Sequence, residues 1–262
     1  MELAAYILNL PLLLLASARL TGMMLVAPAF GHAAVPMRLR LFAAITMALG
    51  VAASRPGVDA LPATQAAWAL AVAGEVLVGL AIGYIGKLVF VGVHMGAFHV
   101  GQQMGVSLAE VFNPSGADEG FDSLGRLFGL LAIVLFLTLG GHRVLIRAVL
   151  DSFDVLPPTA LARPGLLLPA IVAMLAAGFE MALKVAGPVL AALLLATAAL
   201  GLLQRMVPQL NILTIGLPIR VVLVLLVLAA TLGVMLPIMG QYVGVMSEQL
   251  TLLLQRTGRV GT

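Results

Sequence analysis

Apolar positions run in long blocks along this chain, and the polar positions gather in a few short breaks between them. Leu3–Ala27 is apolar apart from Asn9, Ser17, Arg19 and Thr21. Pro28 and Pro36 bracket a break, APAFGHAAVPMRLR, and Leu41–Ala53 follows before Ser54-Arg55-Pro56-Gly57. A spanning helix wants about 20 apolar residues, so Leu41–Ala53 is expected not to cross a bilayer alone. Ala66–Ala109 is near-continuous, interrupted by Glu75 and Lys87. As one straight helix it would be roughly twice a bilayer core, so it must turn back, kink or extend outside the membrane. Leu127–Leu139, Val144–Leu150 and Leu166–Leu203 come next, and Pro188 interrupts the last of these. A connection, Gln204–Arg220, leads to Val221–Ser247, which is charge-free and plainly of spanning length, and then to an amphipathic tail. The pattern predicts an all-α, membrane-associated bundle of kinked and broken helical hairpins.

Gly74, Gly79, Gly83 and Gly86 fall three to five apart, the small-residue spacing that lets helix backbones approach closely. Such glycine density predicts helices packed against protein. The pattern changes at Gly101–Asp122, GQQMGVSLAEVFNPSGADEGFD, which turns amide-rich and then Gly-, Pro- and acid-rich. Glu110, Asp118, Glu119 and Asp122 collect there with no base until Arg126. Non-helical backbone at membrane depth is tolerated only where protein buries it or a water-filled cavity faces it. A loop at or near a pore is the reading this stretch suggests.

Composition strengthens the membrane assignment: 62% of the 262 residues are hydrophobic and 10% charged, and mean hydropathy is +1.14. Soluble domains carry about 25% charged residues. Net charge is only +3, the bases are scattered, and aromatics are few. A nucleic-acid partner is therefore not expected. Cysteine is absent, which excludes disulfides, thiolate metal sites and a cysteine nucleophile. The start of the chain is acidic, with no base before Arg19, and reads as an uncleaved first membrane helix. The bias of Lys and Arg does not settle orientation, because Arg38/Arg40 and Arg143/Arg147 share a side only if Ala66–Ala109 is a hairpin.

Arg19, Glu75, Lys87, Glu180 and Lys184 are ionisable groups in apolar surroundings, and each should have a partner or reach water. Glu180 and Lys184 are spaced i,i+4 in the favourable order and form a candidate buried ion pair, with a proton or ion relay as the sharper alternative. Arg19, Glu75 and Lys87 are candidate intersubunit charges. Glu75 and Lys87 stand too far apart along one helix to pair, so each needs a partner on another helix or another chain. Gln209 and Asn211 are amides among apolar residues, suited to tie a helix bend. His94 and His99 are five apart, which does not present two ligands to one ion, and no metal or other cofactor is expected. No nucleophile elbow, zinc-protease, phosphate-loop or dinucleotide signature is found, and no enzyme is predicted.

Ordered motifs along nearly the whole chain resemble those of the flagellar biosynthetic FliR family, the R-type subunit of the flagellar and type III secretion export gate. They begin with Arg19 and Gly22, Pro28–Gly31 and Val35–Arg40. The middle carries glycines after Glu75, then Gly101–Gly105 and Asn113-Pro114, where relatives usually show Asp-Pro. Phe136-Leu137, Gly141-His142, Asp151–Phe153 and Pro157 follow, then Ala186–Val189, Gly201–Arg205, Val207–Asn211 and Gly216–Pro218.

The resemblance implies one strand of a helical hetero-oligomer with P-type and Q-type subunits and other export-apparatus membrane proteins. Residues 1–184 would be P-type-like and 185–262 a Q-type-like hairpin and tail. It implies a gated channel passing unfolded flagellar proteins across the bacterial inner membrane, within the basal body, with much of the assembly raised toward the periplasm. It makes Val106–Gly120 a pore plug. The plug's leading residues would be Gly105, Val106, Ser107, Leu108, Ala109, Glu110, Val111, Phe112, Asn113 and Pro114, with Gln102 and Gln103 at its base. Asn113 in place of the usual Asp removes a charge from that loop. Two other readings stand beside this one: the equivalent subunit of a virulence injectisome, and a proton-coupled small-molecule transporter lined by Glu75, Lys87, Glu180 and Lys184.

Overall fold

The structure is a computed structural model, and it describes residues 10–32, 35–55, 62–104, 117–156, 164–207 and 212–258. Seven helices and no strand occur among them: α1 (Leu10–Val26), α2 (Met37–Ser54), α3 (Gln65–Met104), α4 (Ala117–Thr138), α5 (Gly141–Val155), α6 (Pro164–Met206) and α7 (Ile212–Gly258). Three of these are long and apolar enough to cross a membrane, over Met37–Ser54, Gln65–Val100 and Ile171–Leu203.

Several helices are longer than the apolar runs that announced them. α2 takes in Met37-Arg38-Leu39-Arg40 and reaches 18 residues, so the segment expected to be too short has spanning length. Pro36 starts it, with φ −59° and a carbonyl that accepts from the Leu39 amide at 3.0 Å. A proline is well placed there, since the first turn has no intrahelical donors to lose. α3 is one continuous helix of 40 residues, about 60 Å long, with no hairpin at Gly86-Lys87. α4 begins at Ala117, so Ala117–Asp122, expected to be loop and including the last four residues of the stretch Val106–Gly120, lies in a helix. α7 resumes at Ile212, nine residues before the start expected after Arg220, and carries Pro218 and Pro237 inside it. Neighbouring bonds hold an apolar helix across a proline when no water competes for the freed carbonyl.

The chain divides into two compact units. The first draws on Met1–Leu88, Gly140–Leu175 and Val243–Thr262. Its core takes Leu12, Leu15, Ala16, Leu20, Met23 and Met24 from α1, a stripe at three- and four-residue spacing. Ala44, Ala48 and Val51 of α2, Val78, Ile82 and Ile85 of α3, and Leu145, Val149 and Phe153 of α5 are also buried. The turn after α1 closes with the Gly31 amide on the Ala27 carbonyl at 2.7 Å and Ala29 at φ 67°. α5 starts after Gly140, whose φ of 75° suits a residue without a side chain. It is strongly amphipathic, burying Leu145, Val149 and Phe153 while Arg143, Arg147, Asp151 and Asp154 stay exposed.

The second unit comprises Val89–Leu139 and Ala176–Tyr242. Gly92 lies so near the Gly178 carbonyl that no side chain fits there, and Gly96 sits over Ala182. Around that crossing Val100, Ala186, Val189, Leu193 and Val224 form an apolar cluster. Phe136 of α4 meets Phe90 edge-on, ring centres 5.3 Å apart.

Candidate functional site

α1 and α3 meet backbone to backbone, and glycine makes this possible. A side chain at Gly79 would overlap the Arg19 carbonyl oxygen, and one at Gly22 would overlap that of Val76. At Gly83 it would lie 2.7 Å from the Met23 carbonyl oxygen. This contact sets Arg19 of α1 opposite Glu75 of α3. The Arg19 Nε donates to Glu75 Oε2 at 2.6 Å, and the two side chains are 0% and 2% exposed.

The rest of the guanidinium is satisfied by α5. Nη1 donates to Ser152 Oγ at 2.9 Å, and Nη2 to the Leu156 carbonyl at 3.0 Å. Ser152 is itself fully buried and donates its own hydroxyl hydrogen bond to the Val149 carbonyl at 2.6 Å. Phe153 closes the node: the Arg19 guanidinium carbon stands 4.1 Å from its ring centre, within cation–π range. One buried cation thus ties three helices through three nitrogens, which the planar fork of an arginine allows and a lysine ammonium does not.

A second arginine extends the node outward. Arg55, just past α2, donates from Nη2 to the Leu150 carbonyl at 2.9 Å and to Asp154 Oδ2 at 2.8 Å. Its guanidinium carbon lies 5.5 Å from the Phe153 ring centre, so Phe153 is shared by two cations.

The residues singled out in the sequence distribute unevenly. Arg19 and Glu75 come together inside one chain, which corrects their assignment as intersubunit charges: the acceptors Arg19 needs arrive on α3 and α5. Lys87 is exposed on α3. Glu180 and Lys184 do pair, at 2.6 Å, but with side chains 60% and 42% exposed. The buried pair expected there is an exposed one, because both residues lie on the face of α6 turned away from its packed neighbours. Gln102 is exposed near the end of α3, and Gln103 belongs to the same helix. The plug residues Gly105–Pro114 and the bend amides Gln209 and Asn211 lie outside the described residues. Among those that are described, no group of three or more His, Cys, Asp or Glu could hold a metal ion.

Ser152, Phe153, Arg55 and Asp154 were given no role from sequence. Their signal was available: Asp151-Ser152-Phe153-Asp154 ends an amphipathic segment and offers a hydroxyl and an aromatic face to an otherwise stranded arginine.

The sequence that builds this site has relatives among known proteins. Residues 10–246 match the model of the bacterial export proteins, family 1. The flagellar biosynthetic protein FliR of Escherichia coli (strain K12) is 33% identical over 222 residues, covering 84% of this chain and 83% of that one. FliR of Bacillus subtilis (strain 168) is 27% identical over 255 residues, 95% of this chain and 96% of its own. The secretion system apparatus protein SsaT of Salmonella typhimurium (strain LT2) is 30% identical over 162 residues, 62% of each chain. With its match beginning at α1 and ending in α7, this chain belongs to the bacterial export proteins, family 1, and within it to the FliR family.

Proposed function

We propose that this protein is a subunit of the flagellar protein export gate, a gated channel that passes unfolded flagellar proteins across the inner membrane of the bacterium. The observation that carries the reading is the extent of the similarity to FliR proteins, 84% of this chain against that of E. coli. An injectisome role has weaker support, since SsaT matches over 62% of the chain. In this reading the chain is non-catalytic and works beside P-type and Q-type subunits, with residues 1–184 P-type-like and 185–262 Q-type-like. Exposed large apolar side chains, such as Phe42, Leu183, Leu194 and Leu195, are suited to cover by lipid or by those subunits. A transporter lined by Glu75 is disfavoured, because that carboxylate is closed off against Arg19.

The loop Val106–Gly120, with Gln102 and Gln103 at its base, is assigned as the plug. Gly105 and Gly116 supply backbone freedom, while Pro114 restricts it. Deleting the gene should abolish flagella and swimming, with rescue by the intact copy, and the protein should co-purify with unlike helical subunits. Purification as a monomer or homodimer with substrate-dependent flux would overturn the assignment. Removing Val106–Gly120 should raise passive ion leak through a complex that still assembles. Unchanged leak in such a complex would sink the plug.

A further inference from the structure

We propose that the cavity at the C-terminal end of α2 binds a membrane phospholipid, its phosphate on Arg55 and the first methylenes of an acyl chain in the notch over Gly50. The cavity, about 290 Å³, is lined by Met47, Gly50, Val51, Ser54 and Arg55, and by Leu150 of α5. Four of these six offer no polar side-chain atom, and the two polar ones are the last in sequence along α2, so polarity is confined to one end. Gly50 forms the notch: a side chain built there meets nothing within 4 Å.

Arg55 has capacity to spare. Both of its hydrogen bonds leave from Nη2, so Nε and Nη1 donate to nothing among the described residues. Its side chain is 23% exposed. Nε–H and the Nη1 hydrogens leave different sides of the guanidinium, so either can give a phosphate oxygen one charge-assisted hydrogen bond. Aromatic contact with Phe153 and the bond to Leu150 hold the guanidinium in place beforehand.

Depth favours a lipid over a soluble anion. α2 has spanning length, and its outer side exposes Phe42 (71%), Ile45 and Leu49. Its 18 residues cover about 27 Å, close to a bilayer's hydrocarbon thickness. Arg38 and Arg40 stand at one end and Arg55 at the other, which puts Arg55 at the level of phosphates and the Gly50 notch one turn deeper, among acyl chains. Headgroup attraction is strongest for an anionic lipid, because the site's cation is Arg55, although Asp154 offsets part of its charge. The site depends only on α2 facing lipid, so its failure would leave the export reading untouched.

The test uses the full chain in the complex with which it purifies, in mild detergent, titrated with dioleoyl phosphatidylglycerol and read by intact mass spectrometry. The intact protein should hold one more tightly bound lipid per chain than Gly50→Leu, which fills the notch, or Arg55→Gln, which removes the cation. Each change should weaken that lipid about tenfold or more, the loss expected for one charge-assisted hydrogen bond or its equivalent in contact. Asp154→Asn, which frees Arg55, should tighten it. Circular dichroism checks that helix content is kept. Lipid retention in Gly50→Leu and Arg55→Gln equal to that of the intact protein would overturn the site. Displacement by millimolar inorganic phosphate would make it a soluble-anion site instead. A photo-crosslinker at position 50 that captures a partner protein and no lipid would likewise overturn it.

Discussion

Replacing Glu75 by leucine should be among the most damaging single changes in the first compact unit. Arg19 has Glu75 as its one anionic contact among the described residues, and it is fully buried. Glu75→Leu leaves the guanidinium with only a hydroxyl, a carbonyl and an aromatic face. Removing one partner of a buried pair costs about 3–5 kcal/mol, because an uncompensated charge stays behind. That is roughly two to four orders of magnitude in the ratio of folded to unfolded protein. The double variant Arg19→Met with Glu75→Leu removes the stranded charge and should recover most of the loss, since a buried pair exchanged for apolar residues is often neutral. It will not recover all of it, as Ser152 and the Leu156 carbonyl lose their donor. The assay is a double-variant cycle on thermal inactivation of the purified complex, with swimming on soft agar as a cellular readout. Arg19→Lys should behave like a damaged single variant, because one ammonium cannot reach three acceptors spread over α3 and α5. If Glu75→Leu matched the intact protein in stability, or the double variant lost the sum of the singles, the node would not hold these helices together.

The glycine contacts give a matched pair of tests. Gly79→Ala drives a methyl into the Arg19 carbonyl and should cost at least about 1–3 kcal/mol, whereas at Gly74, where a side chain meets open space, alanine should stabilise α3 by up to about 1 kcal/mol. Melting temperatures of the two variants in detergent should therefore move in opposite directions. For the exposed pair Glu180–Lys184, a double-variant cycle should return only about 0.3–0.5 kcal/mol, and less in high salt. A coupling several times larger would mean that the pair is buried in the complex.

Composition and the length of the apolar runs were enough to determine that this chain is helical and belongs to a membrane, because lipid leaves so few ways to satisfy a backbone. The glycine spacing announced close helix crossings for the same reason: Gly79 and Gly83 can have no other use at such a contact. The order of short motifs was enough for the family. Helix ends were less legible, since apolarity marks what lipid tolerates and not where hydrogen bonding stops. Thus α2 runs back through Arg38 to Met37, and α7 runs through Pro218. Local spacing did find Glu180 and Lys184 as a pair, because i,i+4 partners belong to one helix. It was blind to their exposure, which depends on which side of α6 finds neighbours. The partners of Arg19 were hidden altogether. Glu75, Ser152 and Leu156 lie 56, 133 and 137 positions away. A buried charge states only that acceptors must exist, and which groups they are is settled when the glycines of α1 and α3 bring those backbones together and α5 closes over them.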